Sequence, residues 1–248
     1  MIEGFLPQIG VAVVRPLFAL APLPLAGTRS LPPLLQASLA LALAVFVLPR
    51  VTLTKEQLQP TVMIVLLFGE ALIGLAIGLA LSLALATARI AGELIGGVIG
   101  IGFAAAIDPE HGTPVPTVSQ FLSLATVALF MAMDGPIVLI GIVAESYRAM
   151  PPGSGFDLGR APLLFGSGSA MFAAAVRLAL PVVVATLIVQ LAMAQMARLA
   201  PSLNMFAVGL PATLVVGLIA FALAFPTMAT ALKGVIAWSF GLAGGVVQ

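Results

Sequence analysis

Glu70–Gly100 reads EALIGLAIGLALSLALATARIAGELIGGVIG, an apolar run without proline that carries a single polar stripe. At 100° per residue, Glu70, Gly74, Gly78, Ser82, Arg89, Gly92, Glu93, Gly96 and Gly100 fall within an arc of about 140°. Leu72, Ile73, Ala76, Leu79, Leu83, Ile90, Leu94 and Val98 occupy the opposite side, with Thr87 and Gly97 as exceptions. A helix over this stretch rises roughly 46 Å, more than a hydrocarbon core of about 30 Å. It is apolar enough for a membrane, too long to cross one neatly, and striped for close contact with protein. These properties predict a subunit of a packed intramembrane assembly.

Composition agrees. Of 248 residues, 61% are apolar and only 8% charged, with a mean hydropathy of +1.22. A soluble domain needs far more charged surface than this, so the chain falls in the membrane class, and its helical segments make the expected fold an all-α membrane protein. The net charge of +1 and the lack of a basic run offer nothing for nucleic acid to bind. With no cysteine, disulfides, thiolate metal sites and cysteine nucleophiles are excluded. Met1-Ile2-Glu3-Gly4 places an acid where a signal peptide carries basic residues, so insertion without cleavage is expected.

Prolines and charges divide the chain into blocks. Ile9–Ala26 is interrupted by Arg15-Pro16 and by Pro22 and Pro24; Leu34–Leu48 lies between Pro32-Pro33 and Pro49-Arg50; Thr52–Pro60 is a polar linker. Thr61–Asp108 contains no proline and is expected to fray near Gly100 and Gly102. Ile107–Pro116 reads as a polar turn region. Thr117–Met133 meets Asp134-Gly135-Pro136, with Ile137–Ser146 continuing beyond it, and Met150–Gly159 is a loop. Pro162 suits the first turn of a helix to Leu199 that kinks at Pro181. The last block, Phe206–Val247, is interrupted by Pro211, Pro226 and Lys233. The sum is about six to eight helical segments, some long and kinked, in a single polytopic domain spanning residues 1–248.

Several charges lie in or beside apolar segments: Arg15, Glu70, Arg89, Glu93, Arg177 and Arg198. Each costs about 2.5–3.5 kcal/mol at the bilayer centre unless it finds a partner, an aqueous path or a position off the midplane. Arg177 and Arg198 are spaced to reach opposite interfaces. Arg89 and Glu93 stand at i, i+4, close enough to pair, so Glu70, Arg89 and Glu93 are expected to be buried charges. Gly74, Gly78, Gly92, Gly96 and Gly100 are candidates for subunit or helix packing, because small residues at four-residue spacing let backbones approach closely. No nucleophile–base constellation is present, so an enzyme is not expected, nor a cofactor or metal. The lone histidine, His111, sits in a proline-rich turn between Glu110 and Gly112, where hydration explains it better than a metal. A small-solute or ion-coupled secondary transporter using Glu70, Arg89 and Glu93 as a midplane site is the alternative reading.

Four parts of the chain resemble one known family. They are Arg15-Pro16 with the spaced Pro22, Pro33 and Pro49; the stretch Glu70-x3-Gly74-x3-Gly78 with Ala91-Gly92 and Gly100; the loop Ile107-Asp108-Pro109 to Gly112 followed by Ser119-Gln120-Phe121-Leu122; and Glu145-Ser146-Tyr147 with Pro151 and Gly153, joined by Ala200-Pro201-Ser202-Leu203-Asn204-Met205-Phe206-Ala207-Val208-Gly209-Leu210-Pro211. Together they resemble the FliR-type subunit of the flagellar export gate and its counterpart in virulence type III secretion. The chain departs from the family pattern at Leu34-Leu35-Gln36, often basic there, and at Pro136, where a histidine is common; the Asp108-Pro109 loop favours the flagellar branch.

The resemblance implies a multi-subunit helical export gate in the bacterial inner (cytoplasmic) membrane, at the flagellar basal body. Its partners would be the P and Q gate subunits (FliP-like and FliQ-like), the B subunit (FlhB-like) that wraps them, unfolded substrate proteins and membrane lipid. It also implies a plug loop over Gly102, Phe103, Ile107, Asp108, Pro109, Glu110, His111 and Gly112, and a pore constriction at Asn204, Met205 and Phe206. Glycines suited to hinging and helix-blocking prolines fit the first assignment.

Overall fold

A computed structural model describes residues 5–23, 32–54, 56–101, 117–155, 158–199 and 205–247. Among them are seven α-helices: α1 (Phe5–Leu20), α2 (Pro33–Val47), α3 (Pro60–Ile99), α4 (Thr117–Ala132), α5 (Gly135–Ala149), α6 (Ala161–Leu199) and α7 (Met205–Val247). Single 3-10 turns occupy Leu48–Arg50 and Leu158–Arg160. The fold is therefore all-α, with the number of helices that the proline and charge punctuation predicts.

The helix ends follow from local chemistry. Pro33 opens α2 at a position where the missing N–H is not needed, and Pro60 begins α3. α3 stops where Gly100 turns left-handed at φ 86°, and the N–H groups of Gly100 and Ile101 both donate to the Gly96 carbonyl, at 3.1 and 3.2 Å. That is a glycine C-cap, and it replaces the expected fraying with a defined end. Between α4 and α5 the axis bends by 67° through Asp134, itself left-handed at φ 55°.

The prolines do not divide the long helices in which they lie. Pro181 lies inside α6, and Pro211 and Pro226 lie inside α7, which runs unbroken for 43 residues. The expected interruptions at Pro211, Pro226 and Lys233 are corrected accordingly. A proline deletes one helical hydrogen bond, and the many bonds remaining in so long a helix carry the backbone past it.

The described residues gather into two compact units, one of residues 1–85, 130–169 and 236–248, the other of residues 86–129 and 170–235. The first is cored by Val11, Ala19 and Leu23 near α1, Ala40 and Ala44 of α2, Ile73 and Ile77 of α3, and Tyr147 of α5. The second is cored by Ala88, Ala91, Ile95 and Ile99 of α3, Leu122 of α4, Ala175 and Val182 of α6, and Leu232 of α7. Elsewhere the helices expose large apolar side chains, among them Phe68, Phe165, Leu191 and Leu223. Among the described residues four helices are long and apolar enough to cross a membrane, or five if the bent α4–α5 pair counts as one span. Apolar surface on this scale needs lipid or protein to cover it.

Two glycines near the end of α3 separate conformational need from packing. Space around Gly97 is open, whereas Gly100 needs its positive φ. Gly97→Ala is predicted to stabilise the chain by up to about 1 kcal/mol through helix propensity, and Gly100→Ala to destabilise it by about 1–2 kcal/mol through left-handed strain. Thermal unfolding of the two variants in detergent measures both, and midpoints shifting in the same direction would refute the assignment of the cap.

Candidate functional site: a buried ion pair held by close helix contacts

The polar stripe of α3 divides lengthwise. Buried residues Ile73, Ile77, Ala84, Ala88, Ala91 and Ile95 place the core-facing side of the helix over only one flank of the stripe. Glu70, Gly74, Gly78 and Gly92 lie on that flank and are buried, while Arg89 and Glu93 lie farther round and are exposed. Arg89 and Glu93 are thus corrected from buried to surface charges, and among the described residues no salt bridge joins them. Four residues of spacing put them on one face, but that face points away from the core.

In the first unit the buried flank receives α1 at near backbone contact. A Cβ at Gly74 would run into the Arg15 carbonyl, and one at Gly78 into the Ala19 carbonyl and the Pro22 ring. This contact brings the Arg15 side chain beside Glu70, one turn before Gly74. Arg15 Nε donates to Glu70 Oε2 at 2.8 Å and Nη2 to Oε1 at 3.0 Å, a two-pronged pair. Nη1 donates to Ser146 Oγ at 2.8 Å, and Nη2 also to the Met150 carbonyl at 2.9 Å. Both charged side chains are almost completely sealed, at 0% and 2% exposure.

Tyr147 completes the arrangement. The Arg15 guanidinium lies 4.0 Å from the centre of its ring, a favourable cation–π distance. Its hydroxyl donates to the Ala12 carbonyl at 3.1 Å. Ala12 precedes Pro16 by four residues, so its carbonyl is the one that proline leaves without a helical donor. Arg15-Pro16 therefore makes two demands, for a counter-charge and for a donor, and Glu70 and Tyr147 meet them. Sequence reading noted both Arg15 and Glu70 without pairing them, and assigned no role to Ser146 or Tyr147. The available signal was that the only tyrosine in the chain follows a serine in the polar last turn, Glu145–Arg148, of a helix that is apolar up to that point.

In the second unit Gly92 plays the part of Gly74, since a Cβ there would collide with the Ser119 backbone of α4. Among the described residues a Cβ at Gly96 would meet nothing nearer than Val118 at 3.9 Å, ordinary contact, so the stripe's close approaches among them are at Gly74, Gly78 and Gly92. A cleft of about 470 Å³ is lined by Gly97 and Val98 of α3, Gln190 and Met193 of α6, and Gly209 and Leu210 of α7, among others. Gln190 Nε2 donates to the Val98 carbonyl across it, at 3.3 Å. Gly102, Phe103, Ile107, Asp108, Pro109, Glu110, His111, Gly112 and Asn204 lie outside the described residues, and Met205 and Phe206 open α7. Arg177 and Arg198 are exposed. Among the described residues no three metal-ligating side chains converge.

The ion pair has an asymmetric energetic signature. Removing one member of a buried pair strands the other and costs about 3–5 kcal/mol, whereas replacing both by apolar groups costs far less. Arg15→Met and Glu70→Leu are each predicted to destabilise the chain severely, and the double variant to recover part of the loss. Recovery stays partial because Ser146 and the Met150 carbonyl lose their donor. Unfolding midpoints in detergent read this out, and a double variant no better than the worse single would refute it. Gly74→Leu and Gly92→Leu are predicted to abolish folding, with Gly96→Leu much milder.

Comparison with known proteins extends the pattern to the whole chain. Residues 6–238 match the family described as bacterial export proteins, family 1. The chain is 30% identical to the flagellar biosynthetic protein FliR of Pectobacterium carotovorum subsp. carotovorum over 86% of its length and 82% of that protein. It is 28% identical to FliR of Escherichia coli K12 over 95% of its length and 91% of that protein. The surface presentation of antigens protein SpaR of Salmonella typhimurium is 25% identical over 82% of this chain and 76% of its own length. With the match extending from α1 well into α7, the chain belongs to the bacterial export proteins, family 1.

Proposed function

We propose that this chain is a subunit of the flagellar type III protein export gate, helping to form the conduit through which unfolded substrate proteins cross the bacterial inner membrane. The observation that carries this reading is the family match over residues 6–238, on a chain whose long helices leave extensive apolar surface uncovered. In this reading the chain assembles with FliP-like and FliQ-like subunits, is wrapped by an FlhB-like subunit, and resides in the basal body. Its role is architectural rather than enzymatic.

Charge placement supports an assembled, conduit-forming role. Arg89 and Glu93 are exposed on a helix with mean hydropathy 2.5 in its most apolar stretch, and lipid is a costly neighbour for either. A partner subunit or an aqueous conduit removes that cost. The transporter alternative fares worse, because it needs Glu70 available to a solute, and both Glu70 oxygens are engaged by Arg15. Separate environments for Arg89 and Glu93 predict that Arg89→Ala and Glu93→Ala reduce co-purification of the other gate subunits additively. A double variant restored to normal assembly would indicate mutual compensation instead and refute the prediction.

A conduit wide enough for polypeptide leaks ions unless it is closed at rest. We assign closure to Gly102–Gly112 as a plug loop and a pore constriction to Asn204, Met205 and Phe206, in which the apolar Phe206 lets dewetting block ions. Irregular backbone at membrane depth is tolerated only where it is buried in protein or lines a cavity, which favours a loop facing the conduit. Deleting residues 104–112 from the assembled gate is predicted to raise ion conductance while leaving assembly intact. Unchanged conductance in a verified complete complex would refute the plug, and wild-type flagellin export from cells lacking this chain would refute the gate reading itself.

A further inference from the structure

Arg50 ends an apolar helix with a charge that no described residue neutralises. Pro33–Arg50 is one of the candidate spans; its 18 residues rise roughly 27 Å, close to a hydrocarbon thickness of about 30 Å. Arg50 therefore reaches headgroup level when Pro33 lies at the other interface. Its guanidinium sits 5.8 Å from the centre of the Phe46 ring. Nη1 is buried without a hydrogen-bond acceptor, and among the described residues no carboxylate pairs with Arg50.

Phe46 also forms one end of a groove of about 420 Å³ whose lining residues are all apolar. Leu39, Leu43 and Phe46 give one face of α2, Pro136 and Ile140 give one face of α5, and Leu20 of α1 contributes as well. The volume falls in the range of about 300–1,000 Å³ that holds small molecules. Along α2 the groove runs from Leu39 to Phe46, roughly 10 Å. That is short for seating a membrane-spanning helix of about 20 residues, and suited to a flexible hydrocarbon chain. An apolar slot ending about one helical turn from an uncompensated guanidinium matches a molecule with a hydrocarbon tail and an anionic head.

We propose that the α1–α2–α5 groove binds an anionic phospholipid, with one acyl chain between α2 and α5 and the phosphate paired with Arg50. Arginine suits this task because its planar fork donates two parallel hydrogen bonds to a phosphate. The proposal rests on the chain's being a membrane protein, not on its part in export.

The test uses the full chain within its co-purified complex, reconstituted in phosphatidylcholine nanodiscs doped with phosphatidylglycerol, with retained lipid quantified by native mass spectrometry. Phosphatidylglycerol is expected to be enriched about fivefold over its share of the nanodisc, the increment for one interfacial arginine. Arg50→Gln is expected to bring enrichment to parity, and Arg50→Lys to preserve most of it. Ala42→Phe, which fills the groove, is expected to remove the retained lipid. If Arg50→Gln does not fold, raising the salt concentration on the wild-type complex must reduce enrichment in its place. Enrichment that survives both Arg50→Gln and high salt, or a photocrosslinker at Leu43 that captures a protein subunit and no lipid, would overturn the proposal. Export activity is not the readout, so the lipid site and the export reading fail independently.

Discussion

A guanidinium with no access to water must find every partner within the protein, and Arg15 sets that condition for the first unit of this chain. Its engagement with Glu70, Ser146 and the Met150 carbonyl draws together α1, α3 and the end of α5, segments far apart in the sequence. Four of its five N–H groups are used in these bonds, and the ring of Tyr147 covers its face. Apolar packing alone tolerates small shifts of one helix along another, whereas a forked ion pair does not. The pair thus sets register more than it adds stability, since desolvating two charges offsets much of their attraction.

The glycines of α3 make that register reachable. At Gly74 and Gly92 the neighbouring element approaches so closely that a single Cβ would meet backbone rather than a side chain able to move aside. Close approach is the main source of helix association where lipid removes the hydrophobic drive. It also shortens the distance that Arg15 must span to Glu70. Sterics and electrostatics here are one device: the glycine admits the helix, and the charge fixes where it stops.

Much of this was legible in the sequence, and the remainder was hidden for identifiable reasons. Composition and blocks bounded by proline located the helices, and the 100° periodicity identified Gly74, Gly78 and Gly92 as packing positions. Periodicity states which side of a helix a residue occupies but not which distant segment meets it, so Arg15 and Glu70, 55 residues apart, both stand out in the sequence without being paired. The same limit explains Arg89 and Glu93: a shared arc of about 140° is wide enough for one edge to be core and the other surface. Prolines misled in α7 because a lost hydrogen bond is a local cost, while helix continuity is decided by the residues on both sides. The tyrosine that satisfies the carbonyl freed by Pro16 depended on a contact between segments more than a hundred residues apart, beyond any local pattern.

Helix length has a consequence for how such a chain survives in the cell. α3, α6 and α7 contain 40, 39 and 43 residues and so measure roughly 60 Å each. Fitting that length into about 30 Å of hydrocarbon would take a tilt of about 60°, beyond the 0–40° range of transmembrane helices. A large part of each must therefore stand outside lipid with leucines, phenylalanines and valines still on its surface. An unassembled copy is then an orphan, well inserted at one depth and sticky at another, and a natural substrate for membrane quality-control proteases. Its abundance would be governed by the supply of whatever sheathes it, so that synthesis in balanced amounts becomes a requirement of the helix geometry itself.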